Sequence, residues 1–381
     1  MPESSLAAPL ARVRSWTFDT ALPFWLERGI DRAGGGFVEA LDFAGADAGV
    51  AFKRTRVACR QIYVFSHAAA LGWTDGLAAA QAGARWLVDR AWRPDGAGFV
   101  RRLDRAGGLL DPTIDLYDNA FAIFAFAWLH RATGEAWALA QALATLDAVK
   151  ASLADPSHQG YRNDETGAGP RQQNPHMHLM EACLAGFAAS GADRFAAEAD
   201  ALADLFSKAF FDGRTLAEFF EPDWRRATSD KGRWTEPGHM FEWAWILAEH
   251  RRLGGPDHRP AIAALIDFAE RHGVDAASAV TFNGVRDDGA PLDRGSRTWP
   301  NTERIKAAVA AREALGDRTA QARAAASANL LLDRYLCVEP RGAWIDQFDA
   351  DGRPVAPNVP ASTLYHLFLA FAEFLRVGED W

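Results

Sequence analysis

The chain has 381 residues, of which 49% are hydrophobic, and a formal net charge of −9. That length allows a large buried core, and the acidic balance argues against nucleic acid or an anionic membrane as the main partner. The three cysteines lie far apart without a CxxC pair, which argues against a disulfide framework or a zinc finger. We expect a cytoplasmic protein without a signal peptide, and without an apolar run of the ~20 residues that span a bilayer.

Apolar residues recur at helical spacing along the whole chain and predict about twelve helices, which are rich in alanine and leucine. In chain order the predicted helices cover 5–28, 53–72, 77–92, 113–133, 135–153, 174–190, 193–211, 236–253, 258–273, 299–315, 317–336 and 361–377.

A short stretch with alternating apolar residues precedes every second helix. These stretches are 35–47, 98–108, 160–169, 215–224, 281–289 and 342–352, and several are typical of small hairpins with Gly and Asp at the turn. The repeating unit is therefore an outer helix, a hairpin-like loop and an inner helix, about 60 residues long and present six times.

Six helical hairpins can close into a ring or form an open solenoid. We predict closure, because the terminal helices are as apolar as the central ones and lack a polar cap. The expected fold is an all-α (α/α)6 barrel, a single domain over 1–381, with short β-hairpin-like loops at one end.

Polar residues stand near the start of each predicted inner helix. In chain order they are Arg60, Tyr117 with Asp118, His178, His239, Glu303 and His366. With Tyr117 as the second member, consecutive positions are 57, 61, 61, 64 and 63 residues apart. In a closed ring such equivalent positions converge on one end of the central cavity, so we predict a site there.

The segment NPHMHLMEA places two histidines at one helix start. Asn174 suits the N-cap, and the proline after it suits the first helical position. At ~100° per residue, His176 and His178 point about 200° apart, so they cannot form a two-histidine metal site, and we expect no metal. Glu181 shares a face with His178 and could fix its tautomer, which leaves His176 a supporting role.

His239 repeats this pattern, since Glu242 follows it three residues later and Trp243 four residues later. His366 has no such glutamate on its own helix. Trp243 and Trp299 are either core residues or flat surfaces on which a sugar stacks.

Three histidines and an arginine around one cavity suit proton abstraction next to a sugar carbonyl. A histidine can take a proton in one step and return it in the next, and Arg60 could stabilise an enediolate oxygen. Without a P-loop or a dinucleotide fingerprint, we expect no cofactor. Two alternatives stay open: glycoside hydrolysis by carboxylates such as Asp118, Glu303 and Asp346, and a non-catalytic sugar-binding module.

At these residues the sequence resembles the N-acylglucosamine 2-epimerase family. The resemblance lies in ACRQIY, NPHMHLMEA, PGHMFEWAWIL, WPNTERIKA and STLYHLF, which span most of the chain. It implies an (α/α)6 barrel and metal-independent proton transfer at C2 of a sugar, with the essential arginine at Arg60 and the histidines at His178, His239 and His366. YDNAF, RQQNPHMHLMEA and PASTLYH are more similar to the mannose isomerase branch than to the oligosaccharide epimerases.

The resemblance thus implies an aldose–ketose isomerase that interconverts D-mannose and D-fructose through a cis-enediol. We expect His239 as the main base, His366 as its acid/base partner and His178 as a group that assists ring opening. A sugar 2-epimerase of the N-acylglucosamine, mannose or cellobiose type stays open, as does a monomer or a homodimer. The residues expected to contact the monosaccharide are Tyr117, Asp118, Asn174, Glu181, Glu242, Trp243, Trp299 and Glu303.

Overall fold

A computed structural model describes residues 6–378 and 381, and these residues form two concentric rings of six helices. The inner helices are α2 (Thr55–Ala70), α4 (Leu116–Thr133), α6 (Gln173–Ser190), α8 (Pro237–Arg252), α10 (Thr298–Leu315) and α12 (Thr363–Val377). The outer helices are α1 (Ala7–Arg14, continued by Ser15–Ala21 and Leu22–Arg28), α3 (Leu77–Ala91), α5 (Ala136–Leu153), α7 (Asp193–Leu205, continued by Phe206–Phe210), α9 (Arg259–His272) and α11 (Ala320–Leu330, continued by Leu331–Tyr335). The twelve predicted helices are therefore confirmed, although residue 5, where the first one was expected to begin, lies outside the described residues.

The two rings differ in how much of each helix is buried. Along α4 twelve of the 18 residues are buried, because an inner helix contacts neighbours on several sides. Along the outer helix α3 only a stripe is buried, namely Ala80, Gly83, Ala84, Leu87 and Ala91. Local signals fix the ends of α4: the Asp115 carboxylate accepts the Asp118 N–H at 3.0 Å, and Gly134 ends the helix with φ of 71°.

Among the described residues, twelve short strands lie at the end of the barrel where the inner helices begin. They are β1 (Ala40–Leu41), β2 (Phe52–Arg54), β3 (Val100–Asp104), β4 (Leu109–Ile114), β5 (Arg171–Gln172), β6 (Phe219–Phe220), β7 (Trp234–Thr235), β8 (Gly284–Arg286), β9 (Pro291–Asp293), β10 (Ser296–Arg297), β11 (Gln347–Phe348) and β12 (Val359–Pro360).

Strand pairing joins each repeat to the next one around the ring. The antiparallel pairs β2–β3, β5–β6, β7–β8 and β10–β11 each link neighbouring repeats, and a bridge between Asp115 and Asp164 links the second repeat to the third. The last pair is β12 with β1, where Pro360 lies opposite Ala40. The final repeat is thus bonded to the first, so the ring is closed, as predicted.

The hairpin-like loops are only partly hairpins. β3–β4 and β8–β9 are true hairpins within one repeat, whereas the strands in the other loops take their partners from a neighbouring repeat. Isolated two-stranded hairpins are marginal in water, and pairing between repeats satisfies the same backbone groups.

Aromatic side chains of the inner helices fill the barrel axis below this end. Tyr63 packs on Phe124 with ring centroids 4.5 Å apart, and Phe121 meets Tyr365 edge-on at 5.1 Å. This layer forms the floor beneath the polar residues at the helix starts. No helix in the described part of the chain is both long and apolar enough to cross a bilayer.

Candidate active site

The starts of the inner helices surround a polar cavity of about 260 Å³. The helices and the loops before them place these polar and aromatic groups together: Arg60, Tyr117, Asn174, His178, Glu236, His239, Glu242, Arg297, Trp299, Asp346, Ser362, Thr363 and His366. The predicted convergence of equivalent repeat positions is therefore present, with Arg60, Tyr117 and all three histidines in one cavity.

His178 is held by the glutamate that helix geometry placed on its face. Its Nδ1 lies 3.1 Å from Glu181 Oε2, and the hydroxyl of Tyr365 donates to the same carboxylate at 2.6 Å. A carboxylate that accepts from Nδ1–H leaves Nε2 without the proton. Burial lowers the pKa of His178 to about 3, so this imidazole is neutral near pH 7.

His239 has a different carboxylate from the one expected. Its Nδ1 lies 2.9 Å from Glu218 Oε2 and 3.9 Å from Glu236 Oε2, whereas Glu242 is directed toward His178 and α10. Burial disfavours the imidazolium, but Glu218 and then Glu236 outweigh burial and raise the pKa of His239 to about 9. His239 is therefore protonated near neutral pH.

His366 also has a carboxylate partner, although none lies on its own helix. Its Nδ1 lies 2.8 Å from Glu303 Oε1, which α10 supplies. Burial, and after it the positive charges of Arg60 and Lys306, lower the pKa of His366 well below its usual value. This imidazole is neutral, in contrast to His239.

The protonated His239 and the neutral His366 flank one aromatic ring. The Trp299 ring centroid lies 5.0 Å from that of His239 and 5.5 Å from that of His366. A protonated and a neutral imidazole on one cavity form the pair that general acid–base catalysis requires.

Arg60 is fixed in place between the starts of α4 and α12. Its Nη2 donates to the Tyr117 hydroxyl at 2.7 Å and its Nη1 to the Ser362 carbonyl at 3.2 Å. The guanidinium lies over the ring of Phe121, 4.3 Å from its centroid, which stabilises the charge by a cation–π contact. This rigid positive charge can face an oxygen of a bound ligand.

A group of acidic side chains lies beneath the histidines. Donor atoms of Glu242, Glu303 and His366 lie within 4.8 Å of one another, as do those of His178, Glu181 and Glu242. The ammonium of Lys306 already lies among them, 2.6 Å from Glu303 Oε2 and 3.6 Å from Glu242 Oε1. We assign no metal ligands here, because that internal cation compensates the carboxylate charge.

Comparison with known proteins identifies the family. The sequence profile described as N-acylglucosamine 2-epimerase (GlcNAc 2-epimerase) matches residues 35–370. The chain belongs to the N-acylglucosamine 2-epimerase family.

Relatives within the family catalyse isomerisation or epimerisation. A protein of Rhizobium meliloti (strain 1021) named mannose-6-phosphate isomerase is 38% identical over 369 residues, which cover 94% of each chain. The D-mannose isomerase of Thermobifida fusca is 29% identical over 312 residues, which cover 73% of each chain. The cellobiose 2-epimerase of Spirochaeta thermophila DSM 6192 shares the fold, with a TM-score of 0.87 at 24% identity over 99% of this chain and 98% of that one. This member of the N-acylglucosamine 2-epimerase family is therefore an enzyme, a sugar isomerase or epimerase.

Four residues that we expected to contact the sugar lie outside the cavity lining of this epimerase-family enzyme, and two of them, Asp118 and Trp243, hold none of its histidines. The Asp118 carboxylate accepts from Arg56 Nε at 2.8 Å and from Arg56 Nη2 at 2.9 Å. The indole N–H of Trp243 donates to Gln173 Oε1 at 2.6 Å, and its ring packs on the outer helix α7. Both side chains form contacts between helices instead of facing the cavity. Residue type and spacing alone did not reveal these contacts.

The other expected residues divide into two groups. Asn174, Glu242 and Trp299 line the cavity, and the Asn174 Oδ1 atom is buried without a hydrogen-bond partner among the described residues. Glu181 and Glu303 lie behind the cavity, where they hold His178 and His366. His176 faces away from it: its Nε2 accepts the Tyr161 N–H at 3.0 Å, which fits the supporting role.

Sequence reasoning missed several residues that line the cavity or hold its histidines. Glu236, Arg297 and Ser362 each occupy the position directly before an inner helix, so the same repeat comparison could have found them. Asp346 was considered only for hydrolysis, and it accepts a hydrogen bond from Thr363 at 2.6 Å. Glu218 lies 21 residues before its histidine, in a loop with no helical spacing to indicate the contact.

Proposed function

We propose that this protein is an aldose–ketose isomerase that interconverts D-mannose and D-fructose, with His366 as the base and His239 as the acid. The observation that carries the proposal is the pair of imidazoles beside Trp299, one protonated and one neutral. A neutral His366 can remove the C2 proton of open-chain mannose while protonated His239 donates a proton to O1, which gives the cis-enediol. His366 then returns its proton to C1, His239 takes the proton from O2, and fructose results.

This assignment reverses the order of the two histidines that we expected from the sequence. There His239 was assigned as the main base and His366 as its acid/base partner, as part of what the family resemblance implies. A base must be unprotonated when the substrate binds, and the carboxylates around His239 favour the protonated form. His366 lies between positive charges, which favour its neutral form.

Arg60 and His178 have supporting roles in this proposal. The guanidinium, fixed by Tyr117 and the Ser362 carbonyl, can stabilise the oxygen on which negative charge develops during enediol formation. Neutral His178 presents its Nε2 to the cavity, where it can assist ring opening or hold a substrate oxygen.

The charges of the cavity favour an unphosphorylated sugar. Of its two arginines, Arg297 is paired with Glu236 at 3.3 Å, and Arg60, held by the Tyr117 hydroxyl, faces the enediol oxygen in the proposed reaction. The lining also contains Glu242 and Asp346, and the lining residues given above include no lysine. A phosphate dianion would meet these carboxylates at short range, which costs binding energy. The volume of about 260 Å³ suits one sugar ring.

The test is to incubate the purified protein in D₂O with D-mannose, mannose 6-phosphate, N-acetylmannosamine or cellobiose, each with and without EDTA. We expect fructose from mannose at the same rate with EDTA, with deuterium at C1 in those molecules in which protonated His366 exchanges with D₂O before it returns its proton. Glucose without fructose would establish a 2-epimerase instead, and turnover of the phosphate ester alone would contradict the substrate assignment. His366→Ala and His239→Ala should each abolish the reaction while the fold persists, and full activity in both would overturn the mechanism.

A further inference from the structure

Lys306 is a fully buried lysine in the middle of the barrel. Its ammonium lies 2.6 Å from Glu303 Oε2, 3.6 Å from Glu242 Oε1, and 4.4 Å from the centre of the Trp245 ring. Lys306 does not line the cavity, so it does not contact the substrate. A buried charge of this kind is costly unless it is compensated, which raises the question of what it contributes.

The ammonium and Glu303 are surrounded by ionisable groups from four other inner helices. These groups are Tyr63 on α2, His178 and Glu181 on α6, Glu242 on α8, and Tyr365 and His366 on α12, while the charges of Arg60 and His239 act on His366. Among the groups whose charge reaches Glu303, Lys306 makes the direct ion pair. The other oxygen of Glu303 lies against His366 Nδ1 at 2.8 Å, so Lys306, Glu303 and His366 form a chain that ends at the cavity.

We propose that Lys306 is a positioning residue for the isomerisation proposed above: it keeps Glu303 ionised, and ionised Glu303 holds the His366 proton on Nδ1, so that Nε2 is free to act as the base. The role of Nε2 as the base rests on the proposed function. The position of the proton on the His366 imidazole does not depend on it.

The chemistry of the two forms of Glu303 explains the dependence. An ionised carboxylate only accepts hydrogen bonds, so Nδ1 must carry the proton and Nε2 offers its lone pair to the substrate. A protonated Glu303 would donate to Nδ1 instead, and the imidazole would then carry its proton on Nε2. That tautomer cannot take the C2 proton.

Glu303 is poised close to this change. Burial, and after it the charge of Glu242, raise the pKa of Glu303 to about 8 even though the ammonium opposes the shift. Removing the ammonium would raise that pKa further. The active form exists above the pKa of Glu303, so activity is lost as the pH falls through that pKa. This decline is the acid limb of the pH profile. Loss of Lys306 must move the acid limb to higher pH, because it raises the pKa of Glu303.

The first experiment measures kcat and KM against pH for the wild type and Lys306→Met. We expect the acid limb of the variant to move up by about one to three pH units, as for loss of a neighbouring opposite charge. Near pH 8, kcat should fall ~100-fold, the scale of a lost general base, while KM stays near that of the wild type. Lys306→Arg keeps the charge and should keep the wild-type limb. An unshifted limb in Lys306→Met would overturn the proposal.

The chain offers a matched control in Lys53. Its side chain is also buried, its ammonium lies 2.9 Å from Asp31 Oδ2 and 4.9 Å from the centre of the Trp86 ring, and it lies outside the cavity lining. Lys53→Met should lower stability without moving the pH profile. If it moved the acid limb as far as Lys306→Met does, the effect would be that of any lost buried charge, and the proposal would fail.

The second experiment observes the His366 tautomer directly by ¹⁵N NMR of histidine-labelled protein, with the signal assigned from His366→Gln. At pH 9 we expect the proton on Nδ1 in the wild type and on Nε2 in Lys306→Met, or in Lys306→Gln if the methionine variant does not fold. In the wild type the proton should pass from Nδ1 to Nε2 as pH falls through about 8. Retention of the Nδ1 proton throughout would contradict the inference. Because no substrate is needed, this result stands even if the protein turns over none of the sugars and the proposed function fails.

Discussion

At the scale of single residues, the chemistry depends on which carboxylate each imidazole meets. Glu218 receives N–H donors from Gln173 at 2.8 Å and from the Glu236 backbone at 3.2 Å, which stabilise its negative charge beside His239. Glu303, by contrast, is buried beside the acidic Glu242 and depends on one ammonium. Two histidines with similar contacts thus differ in charge, since His239 is protonated and His366 is neutral.

This difference predicts a bell-shaped pH dependence of kcat/KM with an alkaline optimum. The acid limb should lie at about 8, where Glu303 loses its proton, and the alkaline limb at about 9, where His239 loses its proton. Glu218→Gln removes the charge that raises the pKa of His239, so the alkaline limb should move to lower pH by about one unit or more. Glu221→Gln, in the same loop but outside the cavity lining, is the control and should leave the limb in place. An alkaline limb that is unchanged in Glu218→Gln would show that His239 is not the acid.

Asp118 gives a prediction that separates a structural role from a substrate contact. Its carboxylate is fully buried and binds Arg56 through two nitrogens. Asp118→Asn should cost about 2 kcal/mol of the free energy of unfolding, since Arg56, whose side chain is 25% exposed, then keeps only Asp115 at 3.9 Å as a counter-ion. The measurement is urea unfolding, together with KM for mannose, which should not change. A raised KM with unchanged stability would show that Asp118 contacts the substrate.

Sequence reasoning could predict the members of the site better than the contacts between them. The repeat period singled out Arg60 and the three histidines, because equivalent positions in a closed ring must converge. The partner of His178 was found because it lies three residues along the same helix. The partners of His239 and His366 were not, since Glu218 lies in a loop and Glu303 on another helix, and such contacts depend on how the elements pack.

At the scale of elements, the contacts that close the ring are specific and local. Trp25 on α1 stacks on Trp344, in the loop before α12, with ring centroids 4.9 Å apart. Its indole N–H donates to the Gly342 carbonyl at 3.1 Å. These contacts join the first repeat to the last, on the same side of the ring as the β1–β12 pair. The sequence predicted that the ring closes, but two-residue strands carry too little pattern to predict which loops pair.

We therefore expect Trp25→Ala to lower the free energy of unfolding by about 3–5 kcal/mol, the usual cost of removing a fully buried tryptophan side chain. Leu71→Ala is the control, because Leu71 is 52% exposed at the end of α2 and should cost no more than about 0.5 kcal/mol. Both are measured by urea unfolding. Equal effects of the two substitutions would mean that the closing contacts do not stabilise the barrel.

At the scale of the whole molecule, closure decides how the chain unfolds. In an open array of repeats, each repeat contacts only its neighbours and the ends can unfold first. Here the last repeat is paired with the first, and the inner helices share one aromatic layer across the axis. Loss of any one repeat would expose that layer, so we predict that the chain behaves as a single domain.

The expected result is one urea transition in which far-UV circular dichroism and tryptophan fluorescence coincide. Trp25→Ala should shift both signals together to lower urea, because the contact that it removes belongs to the same cooperative unit. A chain that ends at residue 355 lacks β12 and α12 and cannot close the ring, so its transition should broaden and the two signals should separate. Two resolved transitions in the full chain would instead show that groups of repeats unfold independently. In that case some inner helices would keep their positions after others had unfolded, and the cavity around the three histidines would not require all six.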